Sequence, residues 1–67
     1  MAKDHLALRI RAFRKLKGYT QQELADRMGV SIAVLGAVER GARRPDDKLI
    51  VRIAETLGIE REELFYD

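Results

Sequence analysis

Residues 20–41 read T-Q-Q-E-L-A-D-R-M-G-V-S-I-A-V-L-G-A-V-E-R-G, and this stretch decides the fold. It predicts two short helices joined by a tight turn. Thr20 and Glu23 have the spacing of a capping box at the start of the first helix. Gly29 suits the left-handed residue that ends this helix, and Ser31 is a good N-cap for the next. Two helices at a steep angle around a glycine turn form a helix-turn-helix.

Apolar residues on both sides of this motif recur at three- to four-residue spacing, which indicates amphipathic helices. The predicted helices cover residues 5–17, 21–28, 32–40, a segment from an Asp46 or Asp47 cap to Gly58, and about 61–66. The apolar stripes are formed by Leu6, Ile10, Phe13, Leu16, Leu24, Ala25, Met28, Leu35, Val38, Ile50, Ile53, Ala54 and Leu57. No β-branched run alternates with polar residues over a strand's length. The sequence therefore predicts an all-α, compact bundle of five short helices in one domain over residues 4–66.

The composition argues against a secreted, membrane or catalytic protein. The absence of Cys excludes disulfides and thiolate metal sites, which fits a reducing cytoplasm. No apolar run approaches the ~20 residues that span a membrane. His5 is the only His and has only Asp4 as a nearby acid, so a nucleophile–base pair or a metal site lacks partners. We expect no enzymatic activity, no cofactor, no metal, no small-molecule ligand and no membrane association.

The charge of the chain is polarised, although the net charge is only +2. Residues 1–44 carry ten Lys or Arg against four Asp or Glu, whereas residues 45–67 carry three against seven. A basic part and an acidic part suit a molecule that presents one end to a polyanion. The alternative is a solvated helical surface with ordinary scatter of charge.

The central motif resembles the helix-turn-helix of phage repressor and Cro proteins, the lambda-repressor-like or XRE family. With Gln21 as the first position of the motif, Ala25 takes the small fifth position and Gly29 the ninth. Leu35 and Val38 take the fifteenth and eighteenth positions, which are apolar in the family. The flanks R-K-L-K-G, E-R-G-A-R-R-P and I-A-E-T-L-G-I extend the resemblance over nearly the whole chain. It implies a lambda repressor-like fold, binding to double-stranded DNA, and control of transcription, most simply as a repressor.

The expected phosphate contacts surround the two helices of the motif. They are Thr20, Gln21, Ser31, Arg40, Arg43 and Arg44. The resemblance implies that the Gln21 amide bonds a backbone phosphate, with Thr20 assisting. The hydroxyl of Ser31, or free N–H groups at the start of its helix, suit another phosphate. The arginines after the second helix of the motif are expected along the strand backbone, and the alternative for them is a solvated loop.

The expected base-facing surface of the second motif helix is small and apolar. It consists of Ile32, Ala33, Gly36 and Ala37. No side-chain amide is present there for adenine, and no Arg for guanine precedes Arg40. Gly36 weakens a helix by roughly 1 kcal/mol relative to Ala, and a close approach of the backbone at this position would explain its presence. We expect insertion into the groove with few direct hydrogen bonds. The alternative is a docking face for a protein, as in an adaptor that kept the fold.

The resemblance also implies a partly buried ion pair between Arg14 and Glu39. Arg14 falls on or near the apolar stripe of the first helix, and Glu39 precedes the final R-G of the motif. The alternative is a surface arginine beside an unrelated glutamate.

The C-terminal residues carry more apolar surface than the core needs. Leu64, Phe65 and Tyr66, with Leu49 or Val51, predict a weak homodimer through the last two helices, since a small domain gains from added burial. The alternative is that these side chains close the core of the monomer.

Overall fold

The computed structural model describes residues 2–65, with side chains from residue 5 onward. Its helices are α1 (Ala2–Leu16), α2 (Gln21–Met28), α3 (Ile32–Glu39) and α4 (Asp47–Leu57), followed by a 3-10 helix at Arg61–Leu64, here called the C-terminal turn. Residues 2–65 contain no strand. The all-α prediction is confirmed, and the count of five short helices was slightly off, because four are α-helices and the last segment is one turn of 3-10 helix.

The helix-turn-helix forms where the capping residues predict it. Thr20 Oγ1 accepts a hydrogen bond from the N–H of Glu23 (3.1 Å), and the Glu23 carboxylate accepts one from the N–H of Thr20 (2.8 Å). Both halves of the capping box are therefore present. Gly29 ends α2 with a φ of 73°, a left-handed conformation that costs glycine little. Ser31 Oγ then caps α3 by accepting from the N–H of Val34 (3.2 Å).

The fourth helix begins at the first of the two candidate aspartates. Asp46 Oδ1 accepts a hydrogen bond from the N–H of Leu49 at 2.9 Å, so Asp46 is the N-cap and Asp47 lies in the first turn. After Gly58 the chain forms the C-terminal turn, which Arg9 of α1 holds through a 2.7 Å bond from Nε to the carbonyl of Glu63. The N-terminal and C-terminal elements are thus tied together beside α4.

The buried side chains come from every element and form one cluster. Those predicted for the core and found buried are Leu6, Ile10, Leu24, Ala25, Met28, Leu35, Val38, Ile50, Ile53, Ala54 and Leu57, while Phe13 is partly buried against them. Leu16 was wrongly placed in the core, since it is 75% exposed. Leu16 is the last residue of α1, and it is Tyr19, beyond the helix end, that packs against the core.

Leu64 of the C-terminal turn completes the core, although the sequence predicted it at a dimer surface. Leu64 is fully buried, and Leu49 is partly buried against the core cluster. Leu64 is therefore not free to form the interface expected of it, and Leu49 is only partly accessible. Val51 and Phe65 are exposed by 39% and 46%, and Tyr66 lies outside the described residues.

Candidate nucleic-acid interface

Helix α3 is held from one side only. Leu35 and Val38 are 1% exposed and anchor the helix in the core. On the same side, Glu39 at the end of α3 is 3% exposed and is the buried acidic residue of the described chain. The opposite side of α3, which carries Ile32 and Ala33, is exposed to solvent.

A bidentate ion pair fixes α3 against α1. Arg14 Nε lies 2.8 Å from Glu39 Oε2, and Arg14 Nη2 lies 3.0 Å from Oε1. Arg14 Nη1 also donates to the carbonyl of Tyr19 at 3.0 Å. The pair implied by the resemblance is present in the structure, and its fork geometry is the strong form of a guanidinium–carboxylate contact.

The first residue of α2 joins the same carboxylate. Gln21 Nε2 donates to Glu39 Oε1 at 3.2 Å, so Glu39 connects α1, α2 and α3. An amide nitrogen carries two N–H donors and the amide oxygen accepts, so this bond leaves Gln21 with groups for another contact. Its neighbour Thr20 is exposed, as is Ser31 at the start of α3. The hydroxyl oxygens of both accept capping bonds, and each hydroxyl proton remains available to donate.

The loop between α3 and α4 concentrates exposed positive charge. Arg43 and Arg44 are exposed and form no ion pair with another side chain of the described chain. With Val34 of α3 they line a cleft of about 350 Å³. Lys48 of α4 lines the same cleft, and sequence reasoning missed it. Its position in the first turn of the helix that follows the basic loop was the signal available.

The exposed face of α3 carries small apolar side chains. Ile32 is 41% exposed, Ala33 is exposed, and Ala37 is half-buried. Gly36 differs from the other expected base-facing residues because it is buried. A Cβ atom added to Gly36 would lie 3.2 Å from Arg40 Nη1 and 3.6 Å from Gln21 Oε1. These two polar side chains therefore cover Gly36.

The capped turn, the core-anchored α3 and the basic loop are the parts of a nucleic-acid-binding module. A helix-turn-helix family model matches residues 10–64. The chain belongs to this family. It is 52% identical over 56 residues to YazB, an uncharacterised helix-turn-helix-type transcriptional regulator of Bacillus subtilis, with 84% of this chain and 81% of YazB covered.

Two solved structures of the helix-turn-helix family have the same fold. The restriction-modification controller protein C.AhdI from Aeromonas hydrophila superposes with a TM-score of 0.90 at 36% identity, over 94% of this chain and 96% of that one. The clp gene regulator ClgR from Corynebacterium glutamicum gives a TM-score of 0.91 at 29% identity, over 97% and 83%. These similarities confirm the expected repressor-like fold and the expectation of a DNA-binding regulator that is not an enzyme.

Neither a metal-binding cluster nor a membrane-spanning helix is found in the described part of the chain. The described residues hold no group of three or more His, Asp or Glu side chains able to bind a metal ion. None of the helices formed by residues 2–65 has the length and apolar character needed to cross a bilayer.

Proposed function

We propose that this helix-turn-helix protein reads specific double-stranded DNA sites by inserting α3 into the major groove, and that it represses transcription by occupying them. The observation that supports this proposal is that α3 is anchored to the core on one side only. Its inner side is fixed by Leu35, Val38 and Glu39, and its outer side is exposed beside a loop of unpaired arginines. The major groove is wide enough to admit an α-helix presented in this way.

The phosphate contacts are proposed on both sides of α3. Gln21 and Thr20 lie at the N-terminal end of α2, and Ser31 lies at the N-terminal end of α3, where free N–H groups and the helix dipole favour an anion. Arg43 and Arg44 hold the strand beyond the end of α3, and their neighbour Lys48 adds a further positive charge. Each such cation that neutralises a phosphate releases counterions, so binding weakens steeply as salt rises.

Base contacts by Ile32, Ala33 and Ala37 are proposed to be apolar. Side chains of this kind touch the methyl group of thymine and offer no hydrogen bond to other bases. Sequence-dependent DNA shape then supplies part of the discrimination. We therefore expect thymine-rich half-sites.

The decisive experiment is selection of bound duplexes from a random pool at physiological salt. The wild-type protein should enrich one motif, and Ala37→Gln should change the preferred base while leaving affinity for random duplex nearly intact. If the wild-type protein and Ala37→Gln select the same motif, α3 does not contact the bases. Salt titration of the wild-type complex provides the second readout.

An alternative function follows from the apolar surface of α3. Ile32 is exposed by 41% with small neighbours, so this face also suits a protein partner, as in an adaptor. A contact of this kind changes little with salt, whereas a complex made through several arginines must weaken. If Ala37→Gln alters binding to a protein partner and leaves base preference untouched, the adaptor function is the correct one.

A weak homodimer is proposed through the outer surface of α4 and the C-terminal turn. Arg61 connects these elements, since its guanidinium lies 3.2 Å from Asp47 Oδ1 and 5.4 Å from the centre of the Phe65 ring. The exposed side chains of Val51 and Phe65 are its apolar part. Two-fold pairing would match the protein to a palindromic site.

We also propose that the protein acts in the cytoplasm and that residues 4–66 form one domain.

A further inference from the structure

The side chain of Arg40 folds back along α3. Arg40 is the C-cap of this helix, and its N–H donates to the carbonyl of Gly36 at 3.0 Å. Side chains on a helix lean towards its N-terminus, over the residues three and four positions earlier. For Arg40 these are Ala37 and Gly36, and Ala33 lies one turn further along the same face. The side chain of Arg40 therefore lies over the buried Gly36 and the half-buried Ala37, and the exposed Ala33 follows on the same face.

Gly36 provides the space that the guanidinium of Arg40 occupies. A Cβ atom on Gly36 would lie 3.2 Å from Arg40 Nη1, which is closer than ordinary van der Waals contact. The same atom would lie 3.6 Å and 3.8 Å from Oε1 and Nε2 of Gln21. Gln21 is itself held by its bond to Glu39. The amide of Gln21 therefore borders one side of the space and the guanidinium of Arg40 lies over it.

The guanidinium in this position keeps its hydrogen-bonding capacity. Arg40 is exposed and forms no ion pair with a carboxylate of the described chain. Five N–H donors in a planar fork match the O6 and N7 acceptors of guanine, which is the commonest specific contact in the major groove. An arginine extended beyond the end of α3 would reach the strand backbone instead. The folded-back position places the donors on the side of α3 that carries Ala33 and Ala37.

We propose that Arg40 is the base-reading residue of α3, that it selects guanine, and that Gly36 is the positioning residue that admits it. This inference rests on the proposed insertion of α3 into the major groove, and it changes the expected role of Arg40 from a phosphate contact to a base contact. Specificity then combines apolar contacts to thymine with one guanine in each half-site.

Arg40→Lys separates a base contact from a phosphate contact. Lysine keeps the positive charge but lacks the bidentate fork. Selection with wild-type protein should enrich a guanine, and Arg40→Lys should lose most of that preference, a loss of roughly 5- to 150-fold in discrimination. Affinity for random duplex should fall much less than affinity for the selected site, because the positive charge remains. Arg43→Lys is the matched control and should keep the guanine preference.

Gly36→Ala tests the positioning role without removing a charge. The added methyl group crowds the guanidinium, which must shift by a few tenths of an ångström, while alanine favours the helix more than glycine does. The variant should melt at or above the wild-type temperature and yet discriminate less well at the guanine position. Unchanged discrimination would overturn the role of Gly36.

The outcomes also separate this inference from the proposed function. A selected site without a guanine overturns the inference, and so does Arg40→Lys with an unchanged guanine preference. The same holds if Arg40→Ala weakens binding to all sequences alike and lowers the salt slope by about 1, as loss of a phosphate contact does. In those cases sequence-selective binding by α3 still stands. If the wild-type protein enriches no sequence at all, both proposals fail.

Discussion

Replacing Glu39 with alanine should destabilise the fold more than any change of a surface glutamate. The side chain of Glu39 is 2% exposed and that of Arg14 is 11% exposed. The substitution removes both bonds of the bidentate pair and the bond from Gln21. Arg14 then keeps only the carbonyl of Tyr19 as an acceptor. A nearly buried guanidinium is left without its counter-charge.

The size of this effect follows from the burial of the pair. Breaking a buried ion pair by removing one partner costs about 3–5 kcal/mol. The bond from Arg14 to Tyr19 survives, so we expect a value of roughly 3 kcal/mol, at the lower end of that range. A chain of this length has a total stability of roughly 3–10 kcal/mol. The loss is therefore a large fraction of the total, and the melting temperature should fall by roughly 12–24 °C.

Thermal and urea unfolding followed by far-UV circular dichroism measure the effect. Glu62→Ala is the matched control, because Glu62 is exposed on the C-terminal turn. A double-mutant cycle with Arg14→Ala tests the coupling, since the double variant should lose less than the sum of the single losses. Equal melting temperatures for Glu39→Ala and Glu62→Ala would refute the reasoning.

The remaining predictions concern DNA affinity, pH and assembly. Arg43→Ala and Arg44→Ala should each weaken binding to all duplexes alike and lower the salt slope by about 1; a change in base preference would contradict this. The pKa of Glu23 is held below its ordinary 4.5, first because the N–H of Thr20 donates to the carboxylate. A lowered pKa in the folded state gives stability above the unfolded pKa that is lost as pH falls through the folded one. Melting curves should therefore show the advantage of wild type over Glu23→Gln shrinking below about pH 4.5, and a constant difference down to pH 3 would argue against it. Phe65→Ser should shift sedimentation at high protein concentration towards monomer, and a monomeric wild type, free and on DNA, would rule the dimer out.

Local signals predicted the parts of the fold that short-range hydrogen bonds determine. Thr20, Glu23 and Ser31 accept the capping bonds that their spacing indicates, and the four glycines at predicted helix ends all have positive φ. These features depend on residues within four positions of each other. They were therefore readable from the chain without knowledge of its tertiary packing.

Features that depend on packing were predicted less well. Leu16 fitted the apolar spacing of α1, but α1 ends there and Tyr19 packs against the core instead. Leu64 closes the core because the C-terminal turn folds against α4, a contact that no local pattern shows. The cover over Gly36 comes from α2 and from the cap of α3 together. The burial of Gly36 depends on two elements that pack together, so the sequence of neither element alone could predict it.

Under the proposed insertion of α3 into the major groove, its one-sided anchorage would make DNA preference and fold stability separable. Leu35, Val38 and Glu39 hold the helix from behind, while Ile32 and Ala33 are exposed in front. Substitutions at exposed positions usually change the free energy of unfolding by no more than about 0.5 kcal/mol. If α3 reads DNA as proposed, substitutions on its exposed face, in evolution or in the laboratory, should redirect the protein to new sites without unfolding it. Substitution of Gln21 should affect both properties, because its amide bonds the buried carboxylate of Glu39 and borders the space over Gly36 beneath Arg40.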